Sequence, residues 1–145
     1  MREAICNITT LFILIGSLVC SAVQAADGQY LPQQREQNGL AYLSGGIGER
    51  EADAMRAAKQ HYRLALTFAV RESKAFLSDV QVRIESVEGN TKFDVVSVGG
   101  MVLVNLPAGS YKAEFEDRGR IIIDRFQVPR KGTLRKVYYW PRLDG

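Results

Sequence analysis

His61 is the only histidine in the chain, so acid–base and metal chemistry must be judged around it. Catalytic triads and most zinc sites need a second partner of a suitable kind. Lys59 lies two residues before His61, and Asp53 two helical turns away, so no dyad or ligand pair forms in sequence. Both cysteines, Cys6 and Cys20, lie in the first twenty residues, and the rest of the chain has no thiol to ligate a metal or close a disulfide. The expectation is a non-enzymatic protein with no catalytic residues, cofactor or metal. A hydrolase resting on His61 ranks behind two binding readings, and His61 is better read as a boundary residue between helix and strand.

Binding chemistry has better candidates. "LRKVYYW" (134–140) sets Arg135 and Lys136 beside Tyr138, Tyr139 and Trp140. Adjacent residues of a strand point to opposite faces. Tyr138 and Trp140 therefore cannot share a face with Tyr139. If one set is core, the other stands exposed beside basic residues, suited to stacking on a sugar. The alternative is that these rings cap the open end of a sandwich, because aromatics act mostly through burial.

A second candidate is Gly46, Gly48 and Glu49, where glycines open a helix and helix N-termini attract anions. No strand of a βαβ unit precedes them and no Lys-Ser/Thr follows, so neither nucleotide fingerprint is met. Glu49 and Glu51 would repel an anion, which favours a flexible helix start.

Charge is unevenly spread. Acids outnumber bases from residue 26 to 117. Arg118, Arg120, Arg125, Arg130, Lys131, Arg135, Lys136 and Arg142 then face only Asp124 and Asp144. A basic end of this kind suits an envelope protein, an acidic glycan or lipopolysaccharide as partner. It equally suits the exposed face and edges of a sheet. Nucleic acid is not among the expected partners.

The elements that must carry these residues begin after a leader. Arg2 precedes an apolar run over 8–23 that ends in "VQA" (23–25), the pattern of a signal peptide spanning 1–25. The run falls short of the roughly 20 residues of a membrane-spanning helix. No transmembrane segment is expected after cleavage, and the protein should be periplasmic or secreted. Val19 before Cys20 argues against lipidation. The remaining residues, about 120, are enough for one domain that buries roughly two-thirds of its unfolded surface.

Residues 26–46 read as an extended arm with a short strand near 40–43. Residues 47–61 read as a short amphipathic helix packing on the domain, with Ile47, Met55, Ala58 and Tyr62 able to share one face. From Tyr62 the period changes to two. Strands are predicted at 62–70, 79–87, 92–98, 101–106, 110–117, 120–128 and 133–140, with a tail at 141–145. "DVQVRIESV" (79–87) alternates most cleanly, with Val80, Val82 and Ile84 inward. Gly99-Gly100 suggests a tight hairpin that makes its flanking strands antiparallel neighbours. Seven short strands and one helix predict an all-β fold, a seven-stranded antiparallel Greek-key sandwich in which each sheet keeps one wet face.

"NLPAGSYKAEFE" (105–116) marks a corner between strands. Pro107 ends the ladder after Leu106, Gly109 permits the reversal, and Tyr111 enters the next strand pointing inward. A buried phenol needs a hydrogen-bond partner, and a backbone group just upstream would make this a tyrosine corner.

With its "DVQVRI" and "LPAGSYKAEF" segments, the region 62–140 resembles the carboxypeptidase regulatory-like or transthyretin-like domain. It is also similar to Cna-B modules. The whole mature chain looks like small exported proteins of proteobacteria in which a segment like "YLSGGIGE" (42–49) precedes the helix. The resemblance implies a non-catalytic accessory or binding β-sandwich. Transthyretin-related hydroxyisourate hydrolases carry several histidines and a Tyr-Arg-Gly-Ser tail, whereas this chain has one histidine and ends "YYWPRLDG". Cna-B modules often form an internal Lys–Asn bond, but here the last strand has no Asn and 62–70 has no Lys.

Overall fold

A computed structural model describes residues 30–143. The expected leader over 1–25, with both cysteines, lies outside the described residues, as do the start of the arm and the end of the tail. Among the described residues the protein is mainly β, with nine strands and one α-helix: β1 (Arg35–Gln37), β2 (Leu40–Gly45), α1 (Gly48–Ala58), β3 (Leu64–Val70), β4 (Gln81–Ser86), β5 (Lys92–Val96), β6 (Met101–Val104), β7 (Gly109–Asp117), β8 (Arg120–Val128) and β9 (Leu134–Trp140). Two sheets form, one in the order β1-β2-β6-β3-β9 and the other in the order β5-β4-β7-β8. No helix among the described residues is long and apolar enough to cross a membrane.

Alternating side chains bring the two sheets together. Leu64, Leu66 and Phe68 of the first sheet pack with Val82, Ile84, Ala113 and Phe115 of the second in one apolar core. Phe115 lies 4.3 Å, centroid to centroid, from Tyr138 and 5.4 Å from Phe68. The tilted rings favour the edge-on contacts that aromatic quadrupoles prefer.

The strand count and directions differ from the seven-stranded antiparallel expectation. The arm supplies two further strands, joined at Asn38-Gly39 with φ angles of 50° and 77°. Asn-Gly is the strongest short-range hairpin signal, because both residues tolerate positive φ. β3 and β9 run parallel, from Leu64↔Leu134 to Val70↔Trp140. The chain returns from β8 in the second sheet to the first, and so enters β9 in the direction of β3.

The hairpin expected at Gly99-Gly100 is absent. β5 is an edge of the second sheet and β6 lies inside the first, so these glycines carry the chain between sheets. Neither adopts a positive φ. A Cβ on Gly99 would collide with the carbonyl of Gly45, and one on Gly100 with the Phe76 side chain. Close approach is the reason for both glycines.

The expectation of one wet face per sheet fails for the first sheet. Its outer surface carries a second apolar cluster in which Met55 and Ala58 of α1, with Tyr62 just beyond it, cover Leu43, Ala65, Met101 and Leu103. β3 is therefore buried on both faces. Ile47 does not join this stripe and stands 61% exposed at the helix start.

Side chains close the sandwich at both edges. The Gln37 carboxamide accepts from the Asp94 amide at 2.8 Å and donates to the Asp94 carbonyl at 2.6 Å, standing in for a strand on the β5 edge. At the opposite edge, Tyr138 Oη donates to Asp124 Oδ2 at 2.8 Å and Trp140 Nε1 donates to the Arg120 carbonyl at 3.1 Å. In the corner before β7, Tyr111 Oη donates to the Pro107 carbonyl at 2.6 Å, and Leu106 is buried beside it.

Candidate binding groove

The parallel pairing of β3 with β9 sets Ala65 beside Arg135, Thr67 beside Val137 and Ala69 beside Tyr139 on the outer face of the first sheet. α1 covers Ala65 but stops short of the rest. Beyond it lies a cleft of about 420 Å³ with Thr67, Ala69 and Val137 on its floor. Its walls come from three elements: Arg56 and Lys59 at the end of α1, Lys74 and Phe76 from the segment after β3, and Tyr139 of β9. A bridge from Ala69 to Phe76 fixes the middle wall against the sheet.

The cleft is strongly basic. No carboxylate lines it. Among the described residues, Lys59, Lys74 and Arg135 form no ion pair, and Arg56 is held by Asp53, which is exposed. Burial pushes the Lys59 ammonium below the usual lysine range, and the neighbouring Arg135 and Arg56 charges push it further. The Arg135 and Arg56 charges raise the energy of the Lys59 cation, and an anion beside it would relieve this.

Tyr139 and Phe76 already have partners of their own. Lys74 Nζ sits 4.4 Å from the Tyr139 ring centroid, and the Arg56 guanidinium 5.7 Å from that of Phe76. Both lie within cation–π range, so the rings hold the charged heads in place.

The structure separates the candidates of the last strand. Arg135 and Tyr139 lie on the groove face, with Tyr139 37% exposed. Lys136 and Trp140 take the other face. Lys136 pairs with Asp124 at 3.0 Å, and Trp140 is 1% exposed within the core. Trp140 is thus core architecture, and its indole is committed to Arg120.

Gly46, Gly48 and Glu49 line a neighbouring cleft of about 380 Å³ that shares Arg56 and Phe76 with the first. Two of the amides at this helix start are taken. Glu51 Oε1 accepts from the amides of Gly46 at 2.8 Å and Ile47 at 3.2 Å. The chain's own carboxylate serves as the anion at this helix start. His61 is exposed in a short 3-10 turn and is not among the residues lining the basic cleft.

Arg56, Lys59, Lys74 and Phe76 escape a reading of sequence alone. Arg56 and Lys59 stand at i, i+3 on the helix, a spacing that signals a shared face. Nothing local marks Lys74 or Phe76, which meet β9 only through the tertiary fold.

No protein-family model matches the chain, and no curated protein matches it. The fold and site define a mainly β, two-sheet protein with a basic groove between a helix end and an edge strand.

Proposed function

We propose that the protein is a non-enzymatic binding module of the cell envelope, exported to the periplasm or beyond, and that its basic groove holds an anionic glycan. One observation carries this reading: Lys59 and Lys74 line one cleft, Arg135 stands close enough to Lys59 for its charge to act on it, and none of the three has a carboxylate partner among the described residues. Isolated surface cations are ordinary, but cations that repel one another at one concavity favour a negatively charged ligand. The apolar run ending in "VQA" supports export. The buried Tyr111 bonded to Pro107 supports a Greek-key sandwich of carboxypeptidase regulatory-like type, where such a corner is at home.

A second reading, a carbohydrate-binding module that stacks neutral sugars on Tyr139, has less support. The ring face is held by Lys74, and a sugar would have to displace that ammonium. Screening of the processed protein on an array of acidic and neutral glycans separates the two. Binding restricted to acidic glycans, weakened by salt and lost in a Lys59→Met, Arg135→Gln double variant, is the expected result. Unchanged binding by that variant overturns the assignment to this groove.

A further inference from the structure

We infer that the groove selects a glycan carrying a phosphate monoester, with the phosphate held between Lys59 and Lys74. This rests on the anionic-glycan reading above and narrows it.

The first argument is charge stoichiometry. A sugar carboxylate brings one charge and two acceptor oxygens. A phosphate monoester brings about 1.5–2 charges and three strong acceptors. Lys59 and Lys74, the two lining cations without acidic partners among the described residues, would be only half compensated by one carboxylate.

The second argument is donor geometry. Arginine's planar fork matches carboxylate and phosphate alike, whereas lysine ammonium groups act as point charges with rotatable donors, which suits the several oxygens and higher charge of a phosphate without demanding a planar partner. The cations lining the cleft itself include two lysines, and the one arginine among them already has Asp53. The Thr67 hydroxyl on the floor can supply one more donor.

The third argument is what lies next door. Past Arg56 and Phe76 lies the second cleft, whose described lining adds Ile47, Ala52 and the carboxylate of Glu49 but no cation beyond Arg56, so it disfavours a second negative charge there. An extended ligand with charge at one end and a neutral unit at the other fits this gradient. Floors of small side chains on a flat strand pair leave room for a pyranose ring, and a cleft of about 420 Å³ lies in the range of small-molecule sites. Tyr139 and Phe76 are positioning residues here, since each fixes a cation through its ring.

Calorimetric titration of the processed protein with glucose 6-phosphate, glucuronate and inorganic phosphate at one ionic strength tests this. The hexose phosphate should bind about tenfold or more tightly than either of the others, because only it offers both the dianion and the ring. Lys59→Met should weaken that binding by about tenfold or more. Tyr139→Leu should weaken it too, while Tyr139→Phe, which keeps the ring under Lys74, should not; thermal unfolding confirms that each variant is folded. Equal affinity for glucuronate overturns the phosphate assignment while leaving an anionic-glycan site intact. Equal affinity for inorganic phosphate overturns the saccharide part. Failure of every acidic glycan on the array removes the underlying reading instead.

Discussion

Lys74 holds its ammonium 4.4 Å from the ring centroid of Tyr139, on a strand reached only after more than sixty further residues. The pair closes one wall of the basic cleft across the end of the first sheet. Its backbone makes the contact possible: Lys74 has a φ of 59°, which turns the segment after β3 back over the sheet. The left-handed region costs a lysine more than an asparagine.

Replacing Lys74 with Asn tests how far this contact serves stability and how far it serves binding. The ammonium is lost while the backbone conformation becomes easier to adopt. An exposed cation–π pair contributes about 0.5–1 kcal/mol. Chemical denaturation of Lys74→Asn should therefore show a loss below about 1 kcal/mol, and a loss of several would make the pair a structural clamp.

Tyr111→Phe removes the hydroxyl that the Pro107 carbonyl accepts at 2.6 Å. The ring stays packed near Phe126, with centroids 6.1 Å apart, so the change isolates the hydrogen bond. A loss of about 0.5–1.5 kcal/mol is expected, because the hydrogen bond is lost while the exposed Pro107 lets water reach the freed carbonyl. Unaltered stability in urea would mean that Tyr111 does not pin the corner.

The crossover between sheets makes a sharper prediction. Gly99→Ala places a methyl group against the backbone carbonyl of Gly45, which cannot rotate away as a side chain could. The cost should be about 1–3 kcal/mol or more, as for overpacked cores. Gly132, with a φ of 84° and open space around its Cβ position, gives the contrast. Gly132→Asn should be nearly neutral because Asn tolerates that conformation. A hairpin turn at Gly99-Gly100 would instead have accepted Asn at Gly99, so Gly99→Asn separates the two accounts.

How much of this was legible in sequence depended on how local the cause was. Val82 and Ile84 alternate with Arg83 and Glu85 because one face of β4 is dry and the other wet, and that pattern reads directly. The Tyr111 corner reads as well, since donor and acceptor lie four residues apart. β3 did not read fully. Its Ala65, Thr67 and Ala69 alternate with the core-facing Leu64, Leu66 and Phe68, and their small size lets a helix and a cleft sit on the sheet, which no local pattern announces. Gly99-Gly100 misled because conformational freedom and close approach select the same residue. For the groove, the exposed Tyr139 beside Arg135 was visible as strand periodicity, while Lys59, Lys74 and Phe76 converge on it only once β3 and β9 lie parallel.

The edge that β8 and β9 share should respond to pH through Asp124. Burial alone would raise its carboxyl above the ordinary range. Hydrogen bonds from Lys136, Tyr138 and the Arg125 amide, with the Lys136 charge, outweigh that and hold it below. A carboxyl depressed by folding adds stability above its unfolded value, near pH 4, and loses it as pH falls through the lower folded value. Tyr138 works in the opposite sense: burial, followed by the Asp124 hydrogen bond and charge, raises its phenol. Its contribution is complete below about pH 10 and fades as pH rises above that. Asp124→Asn retains an acceptor for Tyr138 but loses the charge that Lys136 faces at 3.0 Å. The variant should lose about 1 kcal/mol at pH 7, a figure set by partial exposure of the pair. The gap to the parent protein should narrow once pH falls below about 4 and vanish below the lower folded value, where the parent's carboxylate is itself protonated. Parallel urea titrations at pH 7 and pH 3 check this, and an equal gap at both would mean that the Asp124 charge does not secure the edge.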